Sequence, residues 1–163
     1  ERFAAKLADA GAAGAIIPDL PRDEDPSVAE ALLDRGLAPI GFVTPTTPLA
    51  RLEKIAAEAV GFTYVVSLTG VTGERTTLPP ELTDLAAKVK EASPTPAAVW
   101  FGIGTPSHVA EVGRIADGVI VGTRLVREVA DAPSPEAAVD GVAAFLAEAR
   151  LALQGSDGIA AQS

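Results

Sequence analysis

The chain has 163 residues, of which 48% are hydrophobic and 4% aromatic, and its formal net charge is -9. A chain of this length can bury roughly two thirds of its unfolded surface, which is enough for one domain with a core of Ala, Val, Ile and Leu. The acidic balance and the lack of a Lys or Arg cluster argue against a nucleic-acid partner. The absence of cysteine excludes disulfides, thiolate nucleophiles and zinc sites built on Cys. No apolar run approaches the ~20 residues of a membrane span, so a soluble, cytoplasmic protein is expected.

A helix is predicted at the start of the chain. Apolar residues recur at helical spacing from Glu1 to Ala10, and Gly11 is a typical C-terminal stop. The helix begins without a capping residue, and the sequence contains no methionine. We therefore expect that further residues precede Glu1 in the natural protein.

Five short apolar segments are predicted to form β-strands, with helices between them. The predicted strands are Ala12–Pro18, Ala38–Thr44, Phe62–Ser67, Ala97–Ile103 and Gly118–Val121. The predicted helices that follow them are Pro26–Arg35, Leu49–Ala59, Glu81–Ala92, Ser107–Arg114, Arg124–Val129 and Pro135–Leu153. This alternation is typical of right-handed βαβ units in a parallel sheet. A doubly wound sheet and a (β/α)8 barrel both fit it, although a complete barrel needs eight strands and about 250 residues.

Two successive strands end in glycine-containing turns, Phe101–Pro106 and Val121–Arg124, and the second turn leads straight into a short helix. In both architectures the ligand lies at the C-terminal ends of the strands. Phosphate is bound by converging backbone N–H groups and helix N-termini, and glycine lets the backbone approach without a Cβ. A single glycine there would indicate only a tight turn. The repeated feature predicts a phosphate site, to which Thr123 adds a hydroxyl donor.

Three other features have two interpretations each. The polar, glycine-rich segment Thr69–Thr76 is longer than an ordinary βα connection, which favours a lid over a disordered surface loop. Asp19 follows a buried strand and could bind, orient or accept a proton, and an Asx turn or helix cap explains it equally well. A further set of apolar residues could line a slot for a flat ring or could simply pack in the core: Ile16, Phe42, Tyr64, Phe101 and Ile120. His108, the only histidine, is predicted to be an exposed surface residue without triad or metal-binding partners.

Longer motifs point to one family. They are Ile17-Pro18-Asp19-Leu20-Pro21, Thr44-Pro45-Thr46-Thr47, the run from Tyr64 to Gly73, the run from Phe101 to Pro106, and the run from Ala116 to Thr123. In this order they resemble the α-subunit family of tryptophan synthase, over residues 10 to about 149. The resemblance implies an α/β fold of the (β/α)8 TIM-barrel type, of which residues 1–153 supply about five βα units as a partial barrel. Residues 154–163, which are polar and lack periodicity, are expected to form a disordered tail.

The resemblance also implies a function. Family members are lyases of tryptophan biosynthesis that cleave indole-3-glycerol phosphate to indole and glyceraldehyde 3-phosphate by a retro-aldol route. The α subunit uses no metal and no cofactor of its own. It passes indole to a β subunit that contains PLP, in an α2β2 heterotetramer.

Carried over by position, the resemblance assigns residues to the site. The implied phosphate ligands are Gly73, Gly102, Gly122 and Thr123. The implied indole-binding residues are Ile16, Phe42, Tyr64, Phe101 and Ile120. Thr72 matches a lid threonine that supports catalysis, and a contact with the partner subunit is implied for Asp19, Leu20 and Pro21.

The family's general acid/base pair, a glutamate and an aspartate, would lie before Glu1 and has no counterpart here. We therefore expect the 163-residue chain to be inactive alone. Trp100 stands where the family usually has a small residue, and its bulk must fit on the strand face opposite Phe101 or displace the phosphate turn. Thr123 stands where serine is common and keeps the hydroxyl. The alternatives are another phosphate-binding barrel of amino-acid or cofactor biosynthesis, against which the Gly-Val-Thr-Gly lid argues, and a non-catalytic half-barrel that binds a partner.

Overall fold

The computed structural model describes residues 1–20, 25–67, 78–100 and 102–160, with side chains through residue 154. Its helices are α1 (Arg2–Asp9), α2 (Pro26–Leu33), α3 (Leu49–Ala57), α4 (Pro80–Ala92), α5 (Pro106–Gly113), α6 (Thr123–Ala130) and α7 (Pro135–Ala160). Its strands are β1 (Gly14–Ala15), β2 (Ala38–Pro39), β3 (Gly41–Val43), β4 (Thr63–Val66), β5 (Ala97–Trp100) and β6 (Gly118–Ile120). Helices and strands alternate as the sequence predicts, so the chain has an α/β fold built from βα units.

The strands run parallel and lie side by side in the order in which they occur in the chain. β1 pairs with β2, and a four-stranded sheet has the order β3-β4-β5-β6. β2 and β3 are two parts of the predicted strand Ala38–Thr44, interrupted at Ile40, whose N–H donates to the Ala15 carbonyl at 3.0 Å. The five predicted strands are confirmed, although each is shorter than predicted. A doubly wound sheet reverses its strand order at a switch point, so the sequential order is that of a barrel.

Alternate residues of each strand face the helices or the opposite side of the sheet. Val43, Val65 and Val99 are register partners and are fully buried beneath the helices, at the centre of the main core. Because successive side chains point to opposite faces, Phe42 and Tyr64 lie on the other side and are half-buried. We call this side, which faces away from the helices, the inner face.

α7 packs against both α5 and α6. Its residues Phe145 and Ala149 belong to the same buried cluster as Val109 and Val112 of α5. α7 therefore supports the two helices that follow β5 and β6. Although it is the longest described helix, neither α7 nor any other helix in the described part of the chain is long and apolar enough to cross a membrane.

The end of α7 corrects the sequence analysis. The helix was expected to stop at Leu153 and to be followed by a disordered tail, whereas it continues to Ala160. The predicted end of the helix is therefore wrong by seven residues, and residues 161–163 lie outside the described part. Extending an existing helix adds one hydrogen bond per ordered residue and avoids the cost of nucleation, so a weakly helical sequence can remain helical.

Asp117 joins β5 to β6 at the N-terminal ends of these strands. Its Oδ2 accepts a hydrogen bond from the Ala97 N–H at 2.9 Å, its own N–H donates to the Ala97 carbonyl at 3.0 Å, and Lys90 Nζ lies 3.0 Å from Oδ1. Partial burial raises the pKa of the Asp117 carboxyl, but the Ala97 N–H and the Lys90 ammonium outweigh it and leave the pKa below its usual value. In barrels this end of the strands contributes to stability, and the opposite end carries the site.

Candidate functional site

The C-terminal ends of the strands lie along one edge of the sheet, because all pairings are parallel and sequential. Thr44 follows β3, Ser67 follows β4, and Gly102 and Gly122 begin the connections after β5 and β6. The Thr44 N–H donates to Thr47 Oγ1 at 2.9 Å, so the loop after β3 is held by its own threonines. Several predicted site residues lie outside the described part of the chain: Pro21, Thr72, Gly73 and Phe101, with the rest of the predicted lid.

Gly102 is exposed, and a Cβ built on it would meet no atom of the described residues within 4 Å. Its φ does not lie in the left-handed region. Neither packing nor backbone conformation therefore requires glycine at this position. A glycine that leaves open space beside an exposed backbone is what close approach of a ligand demands.

The residues that follow Gly102 hold the turn in place. The Ile103 side chain is buried in the main core. The Gly104 N–H donates to His108 Nδ1 at 3.3 Å, and Thr105 caps α5 by accepting from the His108 N–H at 3.3 Å. Gly102 is thus the exposed residue of a turn whose next three residues are held by core packing and hydrogen bonds.

The prediction for His108 is wrong, because this histidine is buried, with 6% of its surface exposed. It lies on the face of α5 that also buries Val109 and Val112, and α7 covers that helix. Hydrogen bonding of its Nδ1 compensates for burying a polar ring. Its position in the third residue of α5, one turn after Gly104, is the signal that could have suggested this role.

The second turn leads into α6, with Gly122 as its N-cap residue and no side chain capping the helix. The Leu125 and Val126 N–H groups donate to the Gly122 carbonyl, at 2.9 Å and 3.2 Å. The N–H groups of Thr123 and Arg124 precede them in the first helical turn, where N–H groups have no intrahelical acceptor. Thr123 is exposed. These donors and the positive end of the helix dipole can attract an anion.

Arg124 does not direct its guanidinium to this turn. The guanidinium forms an ion pair with Glu128 and lies over the ring of Phe145, 5.3 Å from its centroid. A Cβ on Gly141 would come within 2.8 Å of Glu128 Oε2, so α7 leaves space for this pair. The arrangement fastens α6 to α7 and leaves binding at the turn to N–H and hydroxyl groups.

The described residues of the predicted apolar slot all lie on the inner face. Phe42 and Tyr64 are register partners whose rings stack with centroids 5.5 Å apart, and burial raises the pKa of Tyr64. Ile120 lies two strands away from Tyr64 on the same face, and Ile16, which follows β1, is 42% exposed. Of these four residues, Phe42 and Tyr64 are therefore in direct contact, whereas Ile16 and Ile120 lie apart from them on the same face.

Trp100 is the inner-face residue that the sequence analysis missed. The sequence predicts either that it lies on the strand face opposite Phe101 or that it displaces the phosphate turn; Phe101 lies outside the described residues, and the register partners Val66 and Ile120 put Trp100 on the inner face with Tyr64. Its indole Nε1 lies 3.5 Å from the position of a Cβ on Gly122. The preceding residue, Val99, is fully buried beneath the helices, which agrees with an inward orientation of Trp100.

Two remaining features lie away from the turns. Asp19 is exposed, and its carboxylate has no hydrogen-bond partner among the described residues; the residues after Leu20 with which it would form an Asx turn lie outside the described part. A cavity of about 470 Å³ lies between α2 and α3, with Leu32 and Ile55 among its lining residues. Its lining is mainly apolar, and it does not lie at the ends of β5 and β6. The turns therefore remain the candidate site.

The parallel strand order and the turns at the C-terminal strand ends define a chain of the (β/α)8-barrel class. The sequence model of the family described as tryptophan synthase alpha chain matches residues 1–154. The chain is 50% identical over 148 residues to the tryptophan synthase alpha chain of Chloroflexus aurantiacus, which covers 91% of this chain and 55% of that protein. It is 41% identical over 155 residues to the protein of the same name from Streptomyces coelicolor, covering 95% and 57%. This chain therefore belongs to the tryptophan synthase alpha chain family.

Solved structures agree with this assignment. The crystal structure of tryptophan synthase subunit alpha from Legionella pneumophila has a TM-score of 0.79 at 35% identity, covering 94% of this chain and 56% of that one. A structure of Mycobacterium tuberculosis tryptophan synthase has a TM-score of 0.80 at 32% identity, covering 93% and 55%. The chain thus spans about half the length of the relatives that it matches.

Proposed function

We propose that this chain supplies the phosphate-binding and indole-binding part of a lyase that cleaves indole-3-glycerol phosphate to indole and glyceraldehyde 3-phosphate. The observation that carries the proposal is the pair of neighbouring turns at Gly102 and Gly122, in a chain of the tryptophan synthase alpha chain family. Family membership decides against the other phosphate-binding barrels considered above.

The phosphate is proposed to lie between the two turns. The first-turn N–H groups of α6, the Thr123 hydroxyl and the exposed backbone at Gly102 are the donors that support this placement. Gly73, outside the described residues, is proposed to add another. Several N–H donors together with a helix N-terminus can hold an anion without a neighbouring Lys or Arg.

The indole ring is proposed to lie on the inner face. The stacked pair Phe42 and Tyr64 provides a flat aromatic surface, and Ile16 and Ile120 are apolar residues of the same face. Phe101, outside the described residues, is proposed to complete the slot. Aromatic side chains favour offset-stacked or edge-to-face contacts with another ring.

Retro-aldol cleavage needs proton transfers that this chain is not proposed to perform. As the carbon–carbon bond breaks, a base must remove the glycerol hydroxyl proton to form the aldehyde, and an acid must deliver a proton to the indole carbon. Among the described residues that directly follow β3, β4, β5 and β6, none is Asp or Glu. We propose that the acid/base carboxylates lie outside these 163 residues, and that Thr72 supports them when the lid closes.

A partner is part of the proposal. The exposed turn at Asp19 and Leu20, with Pro21 beyond the described residues, is proposed to contact a tryptophan synthase β subunit in an α2β2 assembly. The β subunit would hold PLP, and this chain none. The family assignment supports the partner, and the exposure of Asp19 supports the surface.

The test separates binding from turnover. The 163-residue chain is incubated with indole-3-glycerol phosphate, with and without added β subunit, and indole release is measured. The Chloroflexus aurantiacus relative serves as the active control. We expect no release by this chain, together with measurable binding of glycerol 3-phosphate by calorimetry. Turnover by the chain alone would refute the absence of its acid/base pair, and failure to bind the phosphate ester would refute the phosphate site.

A further inference from the structure

Trp100 carries a polar group that no part of the proposed function uses. The residue ends β5, is half-buried, and faces inward between Val66 and Ile120. Among the described residues its indole N–H has no hydrogen-bond partner. The N–H of a buried indole usually has a hydrogen-bond partner, so a bound ligand is a candidate partner for this one.

The polar edge of the indole is directed toward the phosphate turn. Nε1 is the atom of Trp100 that lies nearest to Gly122, 3.5 Å from the position of a Cβ on that residue. Even an added Cβ would be at an ordinary van der Waals distance from the indole, so the indole does not clash with Gly122. The donor group thus lies beside the residue that caps α6.

At the candidate phosphate site, few side chains of the described residues are available to donate a hydrogen bond to an anion. The Arg124 guanidinium is held by Glu128 and by the ring of Phe145. The remaining donors at this turn are backbone N–H groups and the hydroxyl of Thr123. An indole N–H on the inner side would approach a bound anion from a direction that α6 does not cover.

We propose that Trp100 is a ligand-binding residue that donates its indole N–H to the phosphate group of a phosphate monoester held at Gly122 and Thr123. This inference rests on the proposed phosphate site. It adds a donor that suits the acceptor oxygens of a phosphate group, because an indole N–H can donate but cannot accept. The adjoining ring at the same time forms a wall between the phosphate and the inner face.

The chain offers a direct test because Trp100 is its only tryptophan. The indole N–H of the 15N-labelled chain gives one signal in a proton–nitrogen correlation spectrum, and the Thr123 amide reports on the turn independently. Inorganic phosphate and glycerol 3-phosphate are titrated in turn, with glycerol as the uncharged control. We expect both signals to move with the same dissociation constant, the indole signal downfield, and neither to move with glycerol.

The outcomes distinguish the two proposals. Movement of the Thr123 amide with an unmoved indole signal would overturn the role of Trp100 and leave the phosphate site standing. If neither signal moves, the phosphate site fails and the role of Trp100 fails with it. Trp100→Phe, which keeps a ring and removes the N–H, is expected to weaken phosphate binding about 10- to 150-fold, the effect of losing one hydrogen bond to a charged group. Unchanged affinity in a folded Trp100→Phe chain would also overturn the proposal.

Discussion

Gly102→Ala should separate ligand binding from stability. The added methyl group would meet no atom within 4 Å in the described part of the chain, and the backbone at this position does not require glycine. Replacing such a glycine reduces the conformational entropy of the unfolded chain and stabilises a protein by about 0.4–1 kcal/mol. For a chain of this size that corresponds to a rise in Tm of about 1–4 °C. The free protein is therefore expected to be slightly more stable.

The same methyl group should weaken the proposed phosphate site. It would occupy the open space beside the exposed Gly102 backbone, through which a phosphate oxygen would have to approach. Losing a hydrogen bond to a charged group costs about 1.5–3 kcal/mol. Because each 1.4 kcal/mol is a factor of ten, affinity for glycerol 3-phosphate should fall about 10- to 150-fold.

The assay combines thermal unfolding with calorimetric titration of glycerol 3-phosphate. Gly11→Ala is the matched control, because Gly11 also has open space around it but a φ of +75°. The control should lose about 1 kcal/mol or more of stability, since a side chain is strained in the left-handed region, and should keep its affinity. The reasoning about Gly102 would be refuted if its variant bound the ester as tightly as the unaltered chain.

Two further predictions concern stability. His108→Leu removes the acceptor of the Gly104 N–H and should cost about 1–2 kcal/mol in urea unfolding, whereas His108→Asn places an oxygen near the site of Nδ1 and should recover most of this; equal losses would show that the ring acts only through packing. Asp117→Asn should lower the free energy of unfolding by about 1 kcal/mol or less, because the Lys90 ion pair is largely exposed. Because the folded pKa of Asp117 is lowered, its contribution is full above the unfolded value near 3.8 and disappears as the pH falls through the folded pKa. A difference between the two chains that persisted at the lowest pH would contradict this assignment.

The alternation of strands and helices was predictable because it depends on local patterns. Runs such as Phe62–Ser67 are apolar enough to indicate strands buried by helices, and they are confirmed within a residue or two. Strand ends were overestimated, because pairing stops where the chain turns, and apolar character continues past that point. The choice between barrel and doubly wound sheet needed the pairing itself, which no local pattern records.

The positions of the site glycines could be predicted from the sequence, but the orientations of the neighbouring side chains could not. Gly102 and Gly122 follow their strands, as the sequence indicates. The burial of His108 depends on α7, which is distant in sequence, and a lone polar residue on a short helix carries no sign of that cover. The inward orientation of Trp100 follows from register with β4 and β6. Tertiary contacts therefore determine both the burial of His108 and the orientation of Trp100.

The packing of α7 has a consequence for both turns. α5 begins just after one turn and α6 at the other, and both rest on α7, to which Arg124 is fastened through Phe145. The pairing of β5 with β6 sets the spacing of the strand ends, and α7, which contributes no proposed ligand, supports both of the helices that follow them. A change in α7 would therefore affect both halves of the candidate phosphate site at once, although it alters neither turn directly.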